Sequence, residues 1–316
     1  MRVLITGAGG FVGKHLIDAL SERTDNEIFA TALDEREAAN IDLPVDHITL
    51  IDITDKEAVK ELFERVKPEQ IYHLAAQSSV GLSWKIPALT FRVNIEGTVN
   101  ILEAMRGQNI QDSKILLIGS AEQYGTVTAA DLPVSEEQAV VAVNPYAISK
   151  IAQEQLAAVY KDAYGLNVCI VRAFNHIGVG QRPDFVISDW AHQIVEIERG
   201  EKEPKLFVGN IKVRRDFTDV RDIVRAYISI MEKGESGQIY NVGSGKSVSL
   251  EELLQTMISL SDRRDIEIEV DPAKMRAADI EDLVSDNRKL IETTGWEKTI
   301  PLTQTLTDIL NSLRDK

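Results

Sequence analysis

A tyrosine and a lysine four residues apart could together exchange a proton with a carbonyl group. Tyr146 and Lys150 follow Pro145, which is typical of the first turn of a helix, so their side chains are expected on one helical face. A free tyrosine has a pKa of about 10, and a fixed lysine charge is expected to lower it. Ser120, which ends an upstream apolar run, is placed to hydrogen-bond the reacting oxygen. These residue types predict interconversion of a carbonyl and a carbinol.

A carboxylate is expected beside this group. Glu122 follows Ser120 by two residues, so it is predicted to face the same pocket. There it would abstract a proton next to a ketone or position a sugar hydroxyl. The sequence leaves both roles open, together with that of a solvated carboxylate at a loop end.

A glycine-rich segment near the N-terminus predicts a phosphate-binding loop. Gly7, Gly10 and Gly13 lie three residues apart, with Phe11 and Val12 inside the segment, between an apolar run and an amphipathic one. Glycine is needed where the backbone adopts a positive φ or approaches a phosphate closely, and a helix N-terminus offers free N–H groups to an anion. The segment therefore predicts a nicotinamide dinucleotide, NAD or NADP.

The preference between NAD and NADP depends on the end of the second strand. An acidic residue about 20 positions after the glycines favours NAD, and Asp34 stands there. If the strand end shifts by two residues, Ala32 takes that position and Arg36 meets the 2′-phosphate of NADP, so both cofactors stay open. Further cofactor contacts are expected after later strands, at Asp52, Ile53, Leu74, Ala75, Ala76, Phe174 and His176.

Arginines downstream are candidates for binding a diphosphate, because the guanidinium fork matches its oxygens. Arg215 precedes an Asp-Phe pair and Arg276 follows an Asp-Pro pair. A plain surface salt bridge is the alternative for each. Asn175 lies between Phe174 and His176 and is expected to line the cleft with them.

The order of apolar and amphipathic segments predicts an α/β protein with a Rossmann-type doubly wound parallel sheet. Beyond Phe174 this rhythm breaks, which predicts a smaller C-terminal α/β substrate lobe. We expect residues 1–173 with 216–242 to form the cofactor-binding domain and residues 174–215 with 243–316 to form the lobe. Long helices are predicted over Phe91–Met105, Tyr146–Tyr164 and Asp216–Glu232.

Composition excludes several other classes of protein. The 316 residues are 44% hydrophobic, enough for a large core and a smaller second one, and the net charge of −15 argues against a nucleic-acid partner. No apolar stretch reaches the roughly 20 residues that span a bilayer, so no membrane association is expected. The single cysteine, Cys169, excludes an intrachain disulfide and indicates a cytoplasmic protein. The histidine spacing predicts no metal site.

Taken in order, these residues resemble the extended short-chain dehydrogenase/reductase family that modifies nucleotide sugars, nearly from end to end. The matching segments are Thr6-Gly7 to Gly13, His73 to Ala76, Asn94 with Gly97-Thr98, Gly119-Ser120, Tyr146 with Lys150, Arg172 with Phe174-Asn175, Arg215-Asp216-Phe217, Tyr240-Asn241-Val242 and Gly295-Trp296. The resemblance implies an NAD(P)(H) cofactor that Asn94, Tyr146 and Lys150 help to bind. It also implies a homodimer joined through the helices that carry Asn94–Met105 and Tyr146–Tyr164.

Within that family the chain looks most like the GDP-4-keto-6-deoxy-D-mannose reductases. The segments that carry this likeness are Ala76 to Val80, Ser120 to Gly125, Phe174 to Gly178 and Phe185-Val186. The related GDP-mannose 4,6-dehydratases share Glu122 but differ in the glycine segment and after the sixth strand. The resemblance implies a GDP-hexose substrate reduced at C4, with contacts from Gln77, Ser78, Ser79, Ser120, Glu122, Asn175, Arg215 and Arg276. The dehydratase and 4-epimerase activities remain alternatives.

Overall fold

A computed structural model describes residues 1–107, 113–275 and 280–315. In these ranges the chain forms thirteen strands. They are β1 (Arg2–Thr6), β2 (Glu27–Ala32), β3 (Ile48–Leu50), β4 (Gln70–His73), β5 (Lys114–Ser120), β6 (Asn167–Ala173), β7 (Asn175–Ile177), β8 (Lys205–Val208), β9 (Arg214–Asp219), β10 (Ile239–Val242), β11 (Ser247–Ser249), β12 (Glu267–Val270) and β13 (Asp282–Leu283).

The α-helices of the same ranges alternate with the strands. They are α1 (Phe11–Ser21), α2 (Glu35–Ala38), α3 (Lys56–Val66), α4 (Val80–Lys85), α5 (Pro87–Phe91), α6 (Gly97–Gly107), α7 (Pro145–Tyr164), α8 (Val186–Glu198), α9 (Val220–Lys233), α10 (Leu250–Ser259), α11 (Arg288–Thr294) and α12 (Leu302–Arg314).

Seven parallel strands form the main sheet, in the order β3-β2-β1-β4-β5-β6-β10. One apolar core packs α1, α9 and α11 on one face, and a second packs α3, α6 and α7 on the other. The strand order reverses between β1 and β4, and in such sheets ligands bind at the carboxyl ends of the strands beside that reversal. The predicted Rossmann-type fold is therefore confirmed.

The helix predicted over Phe91–Met105 is interrupted. A π-helical turn, Arg92–Glu96, separates α5 from α6. Within this turn the Asn94 side chain accepts the Gln77 N–H at 2.8 Å and donates to the Gln77 carbonyl at 3.1 Å. These bonds join the turn to the loop after β4, which explains the local departure from regular helix.

The helix predicted over Asp216–Glu232 is wrong in its first four residues. Asp216 belongs to β9, which pairs with β7, β11 and β13 rather than with the main sheet. The Asp216 carboxylate is buried and accepts N–H groups from Ser244 and Ser285, which fixes this segment as a strand. Helix α9 starts at Val220 because Asp219 caps it through the Arg221 N–H.

The remaining C-terminal elements surround a separate apolar core. Helices α8, α10 and α12 contribute buried residues to it, and the short parallel pair β8–β12 lies against it. This arrangement agrees with the smaller C-terminal lobe expected from the sequence. The division of the chain into two domains stays a prediction.

Candidate active site

Three side chains that the sequence singled out meet where β5 ends and α7 begins. Ser120 is the last residue of β5, and its hydroxyl lies close enough to the phenol of Tyr146 to lower the pKa of that group. Lys150, 4% exposed, donates to the Ile118 carbonyl at 2.7 Å and to the Gln153 side-chain oxygen at 3.0 Å. Its ammonium lies 5.8 Å from the centroid of the Tyr146 ring. The expected grouping of serine, tyrosine and lysine is thus present.

Burial changes the acidity of both titratable groups. Loss of hydration raises the pKa of Tyr146 to about 12, although the hydrogen bond from Ser120 opposes the rise. Loss of hydration lowers the pKa of Lys150 to about 7. The pKa of Tyr146 is therefore raised in this structure rather than lowered as expected, because desolvation of the buried phenol is the largest influence on it. At neutral pH the phenol keeps its proton.

Glu122 lies at the same site, as expected from its spacing. Its carboxylate is close enough to Tyr146 to contribute to the raised pKa of the phenol. One carboxylate oxygen accepts the Asn144 side-chain N–H at 3.0 Å, and Asn144 in turn caps α7 by accepting the Ala147 N–H at 2.8 Å. The carboxylate is therefore tied to the helix that carries Tyr146.

A buried histidine supports the strand ends below the site. The Nδ1 atom of His73 lies 2.8 Å from the Thr6 hydroxyl, and Nε2 lies 3.2 Å from the Thr98 hydroxyl. Because Thr98 donates to the Asn94 carbonyl, its oxygen accepts from Nε2, which fixes the tautomer of the neutral ring. Burial lowers the pKa of His73 to about 3. Asn94 also donates to the Ser149 hydroxyl at 2.9 Å.

The glycine segment fits a pyrophosphate. Gly7 has a φ of +68°, and a Cβ there would lie 2.6 Å from the Ala75 Cα. Gly10 is the N-cap of α1 without a side-chain cap, so the amides of the first turn at Phe11, Val12 and Gly13 remain available to an anion. The close approach and the uncapped helix are the features that a dinucleotide requires.

The aromatic ring of Phe11 connects this segment to β7. It stacks on the His176 imidazole with the ring centroids 6.1 Å apart and meets His15 edge-on at 5.5 Å. Phe174 is buried and packs beside Tyr124, with the ring centroids 6.2 Å apart. The cofactor contacts predicted for Phe174 and His176 stay predictions.

The second strand ends at Ala32, and Asp34 caps the short helix that follows. The Asp34 carboxylate accepts the N–H groups of Arg36 and Glu37 and lies 3.2 Å from the Arg36 guanidinium. The Glu37 N–H is the main reason that the pKa of Asp34 is lowered. A Cβ on Gly9 would lie 2.4 Å from the Glu37 carbonyl oxygen, so this helix packs directly on the glycine segment. Asp34 and Arg36, the two residues expected to decide between NAD and NADP, therefore lie side by side.

The other predicted cofactor residues occupy strand ends. Asp52 is exposed and accepts the N–H and hydroxyl of Thr54. Ile53 is buried and accepts the side-chain N–H of Asn100 through its carbonyl. Leu74, Ala75 and Ala76 are half-buried and directly follow β4.

The predicted substrate residues differ in what they contact. Gln77 donates to the Ser79 carbonyl in its own loop and to the Thr90 hydroxyl in α5, and Ser79 caps α4. Ser78 and Asn175 are exposed. Arg215 donates to the carbonyls of Arg214 and Ile280, and Arg276 lies outside the described residues. Their substrate contacts stay predictions.

Sequence reasoning missed two residues that hold the site together. Asn144 joins Glu122 to α7, and Gln123 accepts the N–H of Ser120 at 2.8 Å. An asparagine directly before a proline is typical of a helix start, so the sequence could have identified Asn144. Nothing in the sequence around Gln123 indicates its partners.

Among residues 1–107, 113–275 and 280–315, no cluster of His, Cys, Asp and Glu could hold a metal ion. In the same ranges, no helix combines the length and the apolar character that crossing a bilayer requires.

The chain is similar to proteins that act on nucleotide sugars. A family profile described as GDP-mannose 4,6 dehydratase matches residues 4–309. GDP-6-deoxy-D-mannose reductase from Pseudomonas aeruginosa is 36% identical over 310 residues, covering 98% of this chain and 96% of that protein. The solved structure of RMD from Pseudomonas aeruginosa complexed with NADPH has a TM-score of 0.88 at 34% identity, covering 99% of both chains. The UDP-glucose 4-epimerase of Thermus thermophilus complexed with NAD has a TM-score of 0.86 at 30% identity, also covering 99% of both.

Proposed function

The chain belongs to the GDP-mannose 4,6-dehydratase family of extended short-chain dehydrogenases/reductases, and from that premise we propose that it reduces the C4 ketone of GDP-4-keto-6-deoxy-D-mannose to give GDP-D-rhamnose. The observation that carries the proposal is the buried Tyr146 phenol, which holds its proton at neutral pH and lies beside the Ser120 hydroxyl and Lys150. A protonated phenol is the form that donates to the alkoxide produced by ketone reduction.

Each residue of the site has a role in this reaction. Tyr146 donates its proton to the C4 oxygen as negative charge develops there, and Ser120 orients and hydrogen-bonds the same oxygen. Lys150 binds the ribose next to the nicotinamide and stabilises the tyrosinate left after proton transfer. Stabilising charge at the reacting oxygen, more strongly in the transition state than in the ketone, is the main task of this group. Glu122 positions the sugar.

The cofactor is a reduced nicotinamide dinucleotide, and the proposal covers both NADH and NADPH. Its pyrophosphate would be held by the amides at the N-terminus of α1, where Gly10 provides no side-chain cap, beside the close backbone approach of Gly7 and Ala75. When bound, it supplies the hydride that adds to C4. The solved structures of two relatives contain NADPH in one case and NAD in the other.

The nearest competing activity is dehydration of GDP-mannose, which uses the cofactor without consuming it. The position of the Glu122 carboxylate beside Tyr146 favours this second candidate, because a base at C5 would be needed there. Against it, one Glu122 oxygen is already bonded by Asn144. A 4-epimerase, also redox-neutral, is a further alternative within the same family.

The proposal includes a homodimer formed through α6 and α7. Apolar side chains on the outer surface of α7 support it: Ile148 is 48% exposed and Val159 is 59% exposed. Sedimentation should give twice the monomer mass of 35.1 kDa for the native chain and the monomer mass for Val159→Glu. Val45→Glu, at an 86% exposed position before β3, is the control that should stay dimeric.

A cytoplasmic location is also proposed. Cys169 is buried as a free thiol, which is compatible with a reducing compartment.

Absorbance at 340 nm tests the proposed reaction. Purified protein is supplied with NADH or NADPH and with GDP-4-keto-6-deoxy-D-mannose generated in place. We expect one reduced cofactor to be consumed for each ketone reduced, and Tyr146→Phe to abolish the consumption. Conversion of GDP-mannose to a 4-keto product without added reductant would instead establish the dehydratase.

A further inference from the structure

A buried glutamine lies directly behind the serine of the site. Gln123 is 0% exposed, in the turn that follows β5. Its Oε1 accepts the backbone N–H of Ser120 at 2.8 Å, and its Nε2 donates to Glu154 at 2.9 Å. The proposed reaction gives Gln123 no part in binding the substrate, so its contacts need another explanation.

The orientation of the Gln123 amide is determined by Glu154. The Glu154 carboxylate receives two bonds from the buried Arg172, from Nε at 2.9 Å and from Nη2 at 2.7 Å. An ionised carboxylate only accepts hydrogen bonds, so the amide nitrogen of Gln123 must face it. The amide oxygen is therefore left facing the Ser120 N–H, and a flipped amide would meet like groups on both sides.

Ser120 is held from two sides by this turn. Its backbone N–H is bonded by Gln123, and its Oγ accepts the Glu122 N–H at 3.2 Å. The packing is close, because a Cβ on Gly119 would lie 2.4 Å from the Gln123 Oε1. Loss of the amide would leave the Ser120 N–H without its acceptor and remove one of the two restraints on the serine.

We propose that Gln123, oriented by the Glu154–Arg172 ion pair, is a positioning residue that sets the direction of the Ser120 hydroxyl toward Tyr146 and the reacting oxygen. The inference rests on the proposed function for the identity of the reaction, and on the geometry of the turn for the contacts. A misplaced hydroxyl reduces the stabilisation of the transition state more than it reduces substrate binding. We therefore expect kcat to fall and KM to stay unchanged.

The chain offers a matched control for the loss of a buried glutamine. Gln193 of α8 is 7% exposed, its Oε1 accepts the Phe207 N–H at 2.8 Å, and its Nε2 donates to Asp189 at 3.0 Å. Like Gln123, it accepts a backbone N–H and donates to a carboxylate, and it also donates to the Phe207 carbonyl at 3.1 Å, but its partners belong to the C-terminal elements. Gln193→Leu therefore measures the general cost of removing such a side chain.

The first experiment compares steady-state kinetics of Gln123→Leu and Gln193→Leu. We expect kcat of Gln123→Leu to fall by about 10- to 100-fold with KM for both substrates unchanged, and Gln193→Leu to keep the native kcat. Equal kcat in the two variants, or a loss confined to KM, would overturn the proposal.

A second pair of substitutions exchanges the ends of the bond between residues 123 and 154 and keeps the acceptor for the Ser120 N–H. Gln123→Glu alone places two carboxylates together and should reduce kcat at least as much as Gln123→Leu. Adding Glu154→Gln gives the exchanged pair, in which the carboxylate at position 123 accepts from Ser120 and from the new amide. The amide oxygen accepts from Arg172 Nη2, whereas the bond from Arg172 Nε is lost. The double variant should therefore recover part of the lost kcat. Failure of the folded double variant to exceed the single one would contradict the positioning role.

Hydrogen exchange at the Ser120 amide provides a readout independent of turnover. In the native protein and in Gln193→Leu this amide should exchange slowly, and in Gln123→Leu its exchange should be faster while neighbouring β5 amides are unchanged. Rapid exchange in the native protein would overturn the inference even if no variant folds. If the native protein exchanges as expected but does not reduce the 4-keto sugar, the proposed function fails and the positioning of Ser120 stands.

Discussion

The ammonium of Lys150 lies 5.8 Å from the centroid of the Tyr146 ring, and burial moves the pKa values of the two groups in opposite directions. Both shifts have the same cause, because the charged form of each side chain loses hydration. Without a cofactor the site therefore holds a neutral phenol, and a lysine that titrates near neutral pH. Binding of an anionic cofactor beside Lys150 would favour its protonated form.

Lys150 should make the stability of the cofactor-free protein depend on pH. The pKa is about 7 in the folded protein and about 10.4 in an unfolded chain, so between these values the unfolded chain binds more protons. The free energy of unfolding should then rise with pH across this window. In Lys150→Met that contribution, up to about 1.4 kcal/mol per pH unit, should disappear.

Urea unfolding from pH 7 to pH 10 measures the effect. Lys161→Met removes a lysine of the same helix whose side chain is 38% exposed, and it serves as the control. A difference between native protein and Lys150→Met that stays constant over this range would show that the lysine is not desolvated as described.

His73 should affect stability in acid. Its pKa is about 3 in the folded protein and about 6.5 when unfolded, so the unfolded chain takes up the proton first as the pH falls. Stability should therefore decrease from pH 6.5 toward pH 3, and His73→Gln should show a shallower decrease. Denaturant midpoints at pH 5 and pH 7 provide the measurement. An equal acid dependence in the two proteins would contradict the buried neutral ring.

Two glycines with positive φ values differ in both backbone conformation and crowding: Gly165 is αL with a ψ of 23°, whereas Gly125 has a ψ of −132°, which residues with a Cβ avoid. Gly165 has a φ of +70° with nothing near its Cβ position, whereas a Cβ on Gly125, at +61°, would lie 1.8 Å from the Val141 carbonyl oxygen. Gly165→Ala should cost about 1 kcal/mol of stability and Gly125→Ala about 3 kcal/mol or more. Thermal unfolding of both variants checks this order. Equal losses would mean that the turn after Tyr124 relaxes around the added methyl group.

Asp34 should disfavour NADPH relative to NADH. The carboxylate caps α2, which packs on the glycine segment where the adenosine ribose is expected. Removing its charge in Asp34→Ala should raise the NADPH-to-NADH ratio of kcat/KM by about five- to tenfold, and Arg36→Ala should lower that ratio. Initial rates with each cofactor give the result. A ratio unchanged in both variants would place the ribose elsewhere.

The sequence predicted the main sheet because parallel buried strands are continuous apolar runs and their helices have a clear period. It also predicted that Ser120, Tyr146 and Lys150 lie close together. Ser120 ends an apolar run, and Pro145 marks the start of the helix that carries the other two. Asp216 was assigned to a helix because the apolar period of α9 extends into the preceding residues. The hydrogen bonds from Ser244 and Ser285, which are distant in sequence, hold Asp216 in a strand instead.

The electrostatics of the site could not be predicted from spacing. A lysine one turn after a tyrosine suggests a lowered phenol pKa, but the outcome depends on how completely both are buried. Likewise, the role of Gln123 depends on Glu154 and Arg172, which lie 31 and 49 positions further along the chain. Contacts of this kind are properties of the tertiary structure alone.

The most direct test of the proposed reaction follows deuterium from a reduced cofactor in which both hydrogens of the nicotinamide C4 are replaced by deuterium, so that transfer from either face carries label. With GDP-4-keto-6-deoxy-D-mannose as substrate, we predict one deuterium at C4 of the sugar product, detected by NMR, and none with Tyr146→Phe. A product without deuterium, or both deuterium atoms retained on the cofactor while the sugar is converted, would contradict reduction at C4 and indicate a redox-neutral enzyme.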